Sequence, residues 1–402
     1  MKRLIATFPP LFLAACVWEN TADNPDYLPL DDSEYPYAGI PRIVIETDGF
    51  KEIRNNETDI PAKMQIWGDS LPEKEALHIT IKGRGYSSFD MPKYSYKIEL
   101  DTKKNIFGMP TDKDFILLSN FRDKTHLKNY ISFALARSLN DYSTPRCQFV
   151  ELFLNRNYKG LYLFTESIKV SKHRININEK DFLLEKTTNP SDRPFFTTDN
   201  KNVFEIRNPK KPTDQDISEV SFFINDFEKK IKKGLSDSLQ KALINEESFI
   251  RYYWVQEFAK NLDARFLRSI FVIWEKDKPL QMGPLWDFDQ AYGEINLDGA
   301  NGKEWLIKKY GWFLWLWNNP SFASQAKTYW NTQKASFSAI LDTIDKTKES
   351  IAKAVANDNK RWPVLKNQEI HFHHHDYPNY DNAIDSLKYW IEERIMWINN
   401  NI

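Results

Sequence analysis

Three runs early in the chain, Arg42-Ile43-Val44-Ile45-Glu46, Leu77-His78-Ile79-Thr80-Ile81-Lys82 and Tyr94-Ser95-Tyr96-Lys97-Ile98-Glu99-Leu100, alternate apolar and polar residues. A period of two puts successive side chains on opposite faces, so each run predicts a half-buried antiparallel strand. From Asp123 the period changes: Leu127, Ile131, Leu135 and Leu139 recur every four residues. That spacing predicts a helix with Asp123 as its N-cap. Apolar runs at 148–154 and 160–164 flank Asn155-Arg156-Asn157-Tyr158-Lys159 and predict a hairpin with a five-residue loop. Further strands are expected at 181–186 and 202–207, with helices at 214–233 and at 248–260, the second opening at Ser248. Runs 269–274 and 280–286 predict another hairpin. Beyond Pro320 the period is helical, with one long polar helix to about Ala356 and a last one at 381–399. Strands gathered early and helices gathered late give an α+β fold.

The first residues follow a different rule. Lys2-Arg3 precedes an apolar stretch at 4–13 that is interrupted by Pro9-Pro10 and followed by Leu13-Ala14-Ala15-Cys16. A spanning helix needs about 20 apolar residues, so this stretch reads as an export signal, not a membrane span. The pattern resembles a bacterial lipoprotein signal, with cleavage before Cys16 and lipidation of its thiol. Val17 in place of Asp after the cysteine favours the outer membrane or cell surface. The polar run Glu19-Asn20-Thr21-Ala22-Asp23-Asn24-Pro25 suits a tether. The expected layout is a signal at 1–15, a lipidated tether at 16–38, a folded domain at 39–295 and a mainly helical extension at 296–402 that packs on the helical lobe.

Composition narrows the class. At 402 residues, 41% hydrophobic and 28% charged, the chain can bury a real core. Its formal net charge of −1 becomes −3 once Lys2 and Arg3 leave with the signal, which implies no nucleic-acid partner and no membrane contact beyond the lipid anchor. With Cys16 lipidated, Cys147 has no intramolecular disulfide partner, and packing must supply the stability. The 13 Trp, 18 Tyr and 27 Phe either fill that core or line a carbohydrate-binding face.

Candidate chemistry is densest between Asn261 and Gly293. Asn261-Leu262-Asp263 precedes one predicted strand, and Asp287-Phe288-Asp289 follows its partner. A hairpin brings its outer ends together, so Asp263, Asp287, Asp289 and Asn261 are expected to gather as hard oxygen ligands suited to Mg²⁺ on a nucleotide's phosphates. Upstream, Lys82-Gly83-Arg84-Gly85-Tyr86-Ser87-Ser88 follows a strand. Its glycines permit close approach to phosphate, and a decorated hairpin turn is the alternative. Lys97 and Glu166 are candidates for an ion pair that aims the lysine at phosphate, or for ordinary surface pairing.

Taken in order, these runs resemble one family. Lys82-Gly83-Arg84-Gly85-Tyr86-Ser87-Ser88, Pro92-Lys93-Tyr94-Ser95-Tyr96-Lys97-Ile98, Asn120-Phe121-Arg122-Asp123-Lys124-Thr125, Thr144-Pro145-Arg146, Tyr158-Lys159-Gly160-Leu161-Tyr162-Leu163-Phe164-Thr165-Glu166, Lys260-Asn261-Leu262-Asp263 and Met282-Gly283-Pro284-Leu285-Trp286-Asp287-Phe288-Asp289 together resemble the spore-coat CotH family of atypical protein kinases, over roughly residues 75–295. The resemblance implies a divergent protein-kinase-like fold, with a β-rich N-terminal lobe and a more helical C-terminal lobe. It implies transfer of the γ-phosphoryl of ATP to serine on an acceptor protein, with Mg²⁺ or Mn²⁺ as cofactor. By position, Asp263 is the catalytic aspartate. Asp287 holds the metal, joined by Asp289 and Asn261. Arg84, Ser87, Ser88, Lys97, Arg122 and Glu166 are nucleotide-binding candidates. Tyr86 and Phe89-Asp90, around the paired serines, depart from the family's usual smaller or differently charged residues.

Two rivals remain. ATP is scarce outside the inner membrane, so an exported member can be a degenerate kinase kept as an adhesive or carbohydrate-associated module. A hydrolase using Asp287 and Asp289 is disfavoured, because residues two apart in an extended segment leave little room for opposed roles. His371, His373, His374 and His375 offer imidazoles for Zn²⁺ or Cu²⁺, but neighbours in sequence rarely converge on one ion, and an exposed loop is expected.

Overall fold

In the computed structural model, which describes residues 27–69, 72–85, 89–293, 301–366 and 376–402, the early alternating runs close into a barrel. β1 (Arg42–Thr47) pairs antiparallel with β2 (Ile60–Trp67), and the order continues through β3 (Leu77–Arg84), β4 (Ser95–Lys104) and β5 (Asp112–Leu118). After α1 (Lys128–Ser138), β6 (Cys147–Leu154) and β7 (Asn157–Glu166) complete the circle, with β6 lying parallel to β1. Inward residues of every strand fill the barrel, among them Ile43, Met64, Ile81, Ile98, Phe115, Leu152 and Phe164. Closure leaves no open edge to cap.

A second, five-stranded sheet has the order β12-β11-β8-β10-β9. Its strands are β8 (Phe182–Thr187), β9 (Phe195–Thr197), β10 (Val203–Asn208), β11 (Ile270–Trp274) and β12 (Gln281–Met282). Between β10 and β11 run α2 (Asp214–Lys233), α3 (Asp237–Leu243) and α4 (Glu246–Ala259). α2 opens on a capping box in which Thr213 and Asp216 exchange side-chain and backbone bonds. The chain ends in α5 (Gly311–Leu316), α6 (Pro320–Ser338), α7 (Ile340–Arg361) and α8 (Tyr380–Asn401). The expected α+β class, β-rich first and helical last, is present. Among the described residues no helix is long and apolar enough to cross a membrane.

Several expectations shift in detail. The 155–159 loop is a two-residue turn, since Leu154 pairs directly with Asn157, and Asn155 and Arg156 both take left-handed backbone at φ 51° and 63°. α4 is capped by Asn245, whose side chain accepts the Ser248 N–H at 3.0 Å, so Ser248 lies inside the helix and does not open it. α1 starts at Lys128, and Asp123 caps it from a distance by accepting the Lys128 N–H at 2.8 Å. The long polar helix after Pro320 is two helices meeting at Ala339. Only Gln281–Met282 of the 280–286 run is strand.

The aromatic residues go largely inside. Phe249, Tyr253, Trp254 and Phe258 of α4 pack with Trp312, Phe313 and Trp330 in one cluster that also takes in Ile344 of α7 and Ile391 of α8. α4 is further pinned by the Glu257–Arg394 pair at 2.7 Å, with both side chains fully buried. α7 bonds to the barrel as well: Asp358 accepts from Lys93 Nζ and from the Leu161 N–H, each at 2.7 Å. The terminal helices therefore hold both the helical half and the barrel.

Candidate active site

The end of α4 decides where the first aspartate goes. Lys260 closes the helix in left-handed backbone (φ 45°), its Nζ bonded to the carbonyls of Asn301 and Lys303. That turn throws Asn261, Leu262 and Asp263 out of the helix. Asn261 then works in two directions. Its Oδ1 accepts the Asp263 N–H at 3.2 Å, and its Nδ2 donates to the Asp287 carbonyl at 2.9 Å. Backbone bonds from Leu262 N to the Gln290 carbonyl and from Tyr292 N to the Ala259 carbonyl lace the two segments together. The sequence expectation that Asp263 and Asp287 become neighbours is met by this lacing and by β11, which carries the chain from one segment toward the other.

The three carboxylates are held differently. Asp287 sits in left-handed backbone (φ 63°), where Ser269 Oγ donates to its Oδ2 at 2.9 Å. Asp289 Oδ1 takes a hydrogen bond from Asn129 Nδ2 at 2.6 Å, and Lys128 Nζ lies 3.5 Å from its carbonyl. Asp263 is 6% exposed, with Arg268 Nε 3.5 Å from its Oδ1. Burial, then the charge of Asp287, push the Asp263 carboxyl up to about 7, against the pull of Arg268. Burial and Asp287 likewise push Asp289 up to about 6, opposed by the Asn129 bond. Both groups resist ionisation first because they are buried and second because Asp287 adds a like charge beside them.

Arg84, at the end of β3, supplies a cation on the barrel side. Its guanidinium lies over Trp286 at 5.1 Å; burial pulls its pKa down from the usual arginine range, and the charge of Asp287, with smaller help from Asp289, opposes that pull. Gly83 precedes it because a side chain there would collide with the Phe89 ring. Ser87 and Ser88 of the expected phosphate loop lie outside the described residues, as do Cys16 and the 371–375 histidine run. Arg122 is half-buried in the loop between β5 and α1.

The expected Lys97–Glu166 pair does not form. Lys97 Nζ pairs with Glu99 at 3.3 Å and Asp114 at 3.4 Å on the outside of the barrel. Glu166, at the end of β7, takes the Arg146 N–H and guanidinium, with Arg174 at 3.5 Å. Register and face set these partners: Lys97 faces Ile116 across β4–β5 and Ile116 faces Thr165 across β5–β7, so Lys97 shares a face with Asp114 while Glu166, opposite Phe115, lies on the other face. Among the described residues neither Lys97 nor Glu166 bonds to an aspartate of the cluster.

Among the described residues no group of three or more His, Cys, Asp and Glu side chains is assembled tightly enough to hold a metal by itself. Mg²⁺ asks for less: one or two carboxylates, with waters and phosphate oxygens completing its octahedron. Asp287 and Asp289 fit that need in donor chemistry, and the raised Asp263 and Asp289 carboxyls mark a place where a dication would relieve repulsion. Sequence reading missed Ser269, Lys128 and Asn129, which orient these acids. No spacing rule singles them out, and they emerge only from the packing of α1 and β11 against 286–289.

Comparison with curated proteins gives no match. The family model described as CotH kinase protein matches residues 81–398, which takes in the barrel from β3 onward, the acid cluster and nearly all of α8. The match runs past the 75–295 stretch in which the motifs lie, and by its extent the chain belongs to the CotH kinase family.

Proposed function

We propose that this protein is an ATP-dependent protein serine kinase, in keeping with the kinase-like function that its family carries. The observation that supports it most is the meeting of Asp263, Asp287 and Asp289, drawn from two distant segments, beside the guanidinium of Arg84. Phosphoryl transfer needs little covalent help from a protein. It needs an aligned hydroxyl, a base, and charge neutralisation around the phosphates. Asp263 takes the proton of the acceptor serine hydroxyl as its oxygen bonds to the γ-phosphorus and the bond from that phosphorus to the β-bridging oxygen breaks, releasing ADP. Asp287 and Asp289, with Asn261 bracing the loop, would hold Mg²⁺ or Mn²⁺, which when bound neutralises charge on the β- and γ-phosphates. Arg84 contributes the fixed cation. Export through Cys16 and display at the outer membrane or cell surface are part of the same proposal, and the acceptor is then a surface or secreted protein.

The test is label transfer from γ-labelled ATP, with Mn²⁺ or Mg²⁺, by the full-length protein and by Asp263→Asn and Asp287→Asn. Wild-type labelling that falls at least about 100-fold in both variants is expected, on the scale of removing a positioned base or a charge stabiliser. Equal labelling by all three would refute the assignment.

A further inference from the structure

The loop between β5 and α1, with the first turn of α1, buries an unusual share of polar side chains: Ser119, Asn120, Asp123, Thr125 and Asn129 are each at most 4% exposed. Buried polar groups cost free energy unless their bonds are made, so such a loop points to a defined job. Asp123 makes the loop rigid: Oδ1 takes the Thr125 N–H at 2.8 Å and its hydroxyl at 2.5 Å, while Oδ2 takes the Lys128 N–H. The first turn of α1 is thereby fixed in place.

Asn129 stands on that turn and uses its amide at both ends. Oδ1 accepts the Phe288 N–H at 2.9 Å, and Nδ2 donates to Asp289 Oδ1 at 2.6 Å and to Asn120 Oδ1 at 3.2 Å. The orientation of the amide is forced, since a flip would set NH₂ against N–H and oxygen against carboxylate. One turn further along α1, Phe133 stacks on Trp286 at 5.6 Å and meets Phe288 edge-on at 6.4 Å. α1 thus grips the 286–289 segment with rings on one residue set and an amide on the next. Asp289 Oδ2 accepts no hydrogen bond among the described residues, so one carboxylate oxygen is tied and the other is not.

We infer that Asn129 is the positioning residue for the metal-binding carboxylate of Asp289, held by the buried loop so that the free oxygen is set before a divalent cation arrives. This rests on the kinase reading of the acid cluster and adds to it the group that orders the cluster. The residue type follows from the two bonds. Leucine of similar size would strand both the Phe288 N–H and the carboxylate, and aspartate would put a like charge against Asp289. Groups that orient a metal ligand by hydrogen bonding change metal affinity about 10- to 100-fold when removed.

The experiment titrates Mn²⁺ alone, and Mn²⁺ with ATP, into the full-length protein and follows free Mn²⁺ by electron paramagnetic resonance. Asn129→Leu and the milder Asn129→Ser are expected to weaken Mn²⁺ binding, the first by about 10- to 100-fold. Phosphoryl transfer should recover in both as Mn²⁺ is raised to saturation. Ser132→Ala, which removes the 2.9 Å bond to the Tyr292 hydroxyl from the next turn of α1, is the control for simple loss of a buried bond and should keep wild-type affinity. Unchanged affinity in folded Asn129→Leu or Asn129→Ser, or an equal drop in Ser132→Ala, overturns the role of Asn129 while leaving the site reading intact. No Mn²⁺ uptake by the wild type, with or without ATP, overturns the site reading and this inference with it.

Discussion

Replacing Asp263 by asparagine should stabilise the metal-free protein while abolishing transfer. The carboxyl is buried beside Asp287 and Asp289, and its pKa rises from 3.8 to about 7. At ~1.4 kcal/mol per unit, that gap makes ionised Asp263 cost on the order of 4 kcal/mol relative to the unfolded chain. The direction in pH follows from the raised value. Below 3.8 both states are protonated and nothing is lost, then stability falls as pH climbs to about 7, and the loss is constant above that. Asparagine mimics the protonated acid and never incurs the loss. Its advantage is therefore near zero at pH 3.5, grows through pH 5 and is full at pH 8. With an unfolding entropy of about 2 cal/mol/K per residue, 4 kcal/mol in a chain of this length corresponds to roughly 5 °C in Tm. Thermal melts of wild type and Asp263→Asn in chelator at pH 5 and pH 8 measure it. Saturating Mn²⁺ should erase the pH 8 difference by neutralising the wild-type cluster. An asparagine variant that is folded yet melts no higher than wild type at pH 8 would refute the picture of under-compensated charge.

Other outcomes follow from the same contacts. Mn²⁺ affinity should rise as pH passes through 6 to 7 with release of protons, because the raised Asp289 and Asp263 carboxyls must ionise to favour the metal; calorimetry in buffers of different ionisation enthalpy reads the proton count. Arg84→Leu should weaken ATP binding by about tenfold, the scale of one charge-assisted contact, with little change in Mn²⁺ binding in the absence of nucleotide. Asp358→Ala leaves the buried Lys93 ammonium without its 2.7 Å carboxylate partner and should cost about 3–5 kcal/mol in denaturant melts, with only part recovered when Lys93→Met is added, because the Leu161 N–H stays unpaired. Gly160→Ala should cost about 2–3 kcal/mol, since its φ is +112° and a Cβ would strike Asp358 Oδ1 where α7 meets β7.

How much of this was legible in the sequence depends on the range of the interaction involved. α2 has a strong helical period, a capping box and a glycine stop, and its predicted bounds at 214–233 coincide with Asp214–Lys233. β2 and β5 left weaker signals. Pro61 interrupts the first, and Asp112-Lys113-Asp114 opens the second with charges that are buried or half-buried only because Lys169 and Arg174 cross from beyond β7 to meet them. Barrel closure through β1 and β6 is a parallel pairing of strands a hundred residues apart, which no local pattern reports. In the acid cluster, the Asn261-to-Asp263 and Asp287-to-Asp289 motifs were readable because they are compact and end regular elements. The bonds of Asn129 and Ser269 to the cluster were not, because each crosses from another element. The Lys97–Glu166 expectation failed for a related reason: two residues near one another in the strand order were assigned to each other, whereas register gives Lys97 to Asp114 and hands Glu166 to Arg146.

Whether the aspartates bind a nucleotide through a divalent cation is decided by calorimetric titration of ATP. ATP is expected to bind the full-length wild type with Mn²⁺ present and not in chelator, and Asp287→Asn is expected to lose the Mn²⁺-dependent binding. ATP binding that is indifferent to metal, or that survives Asp287→Asn unchanged, would contradict this mode of binding.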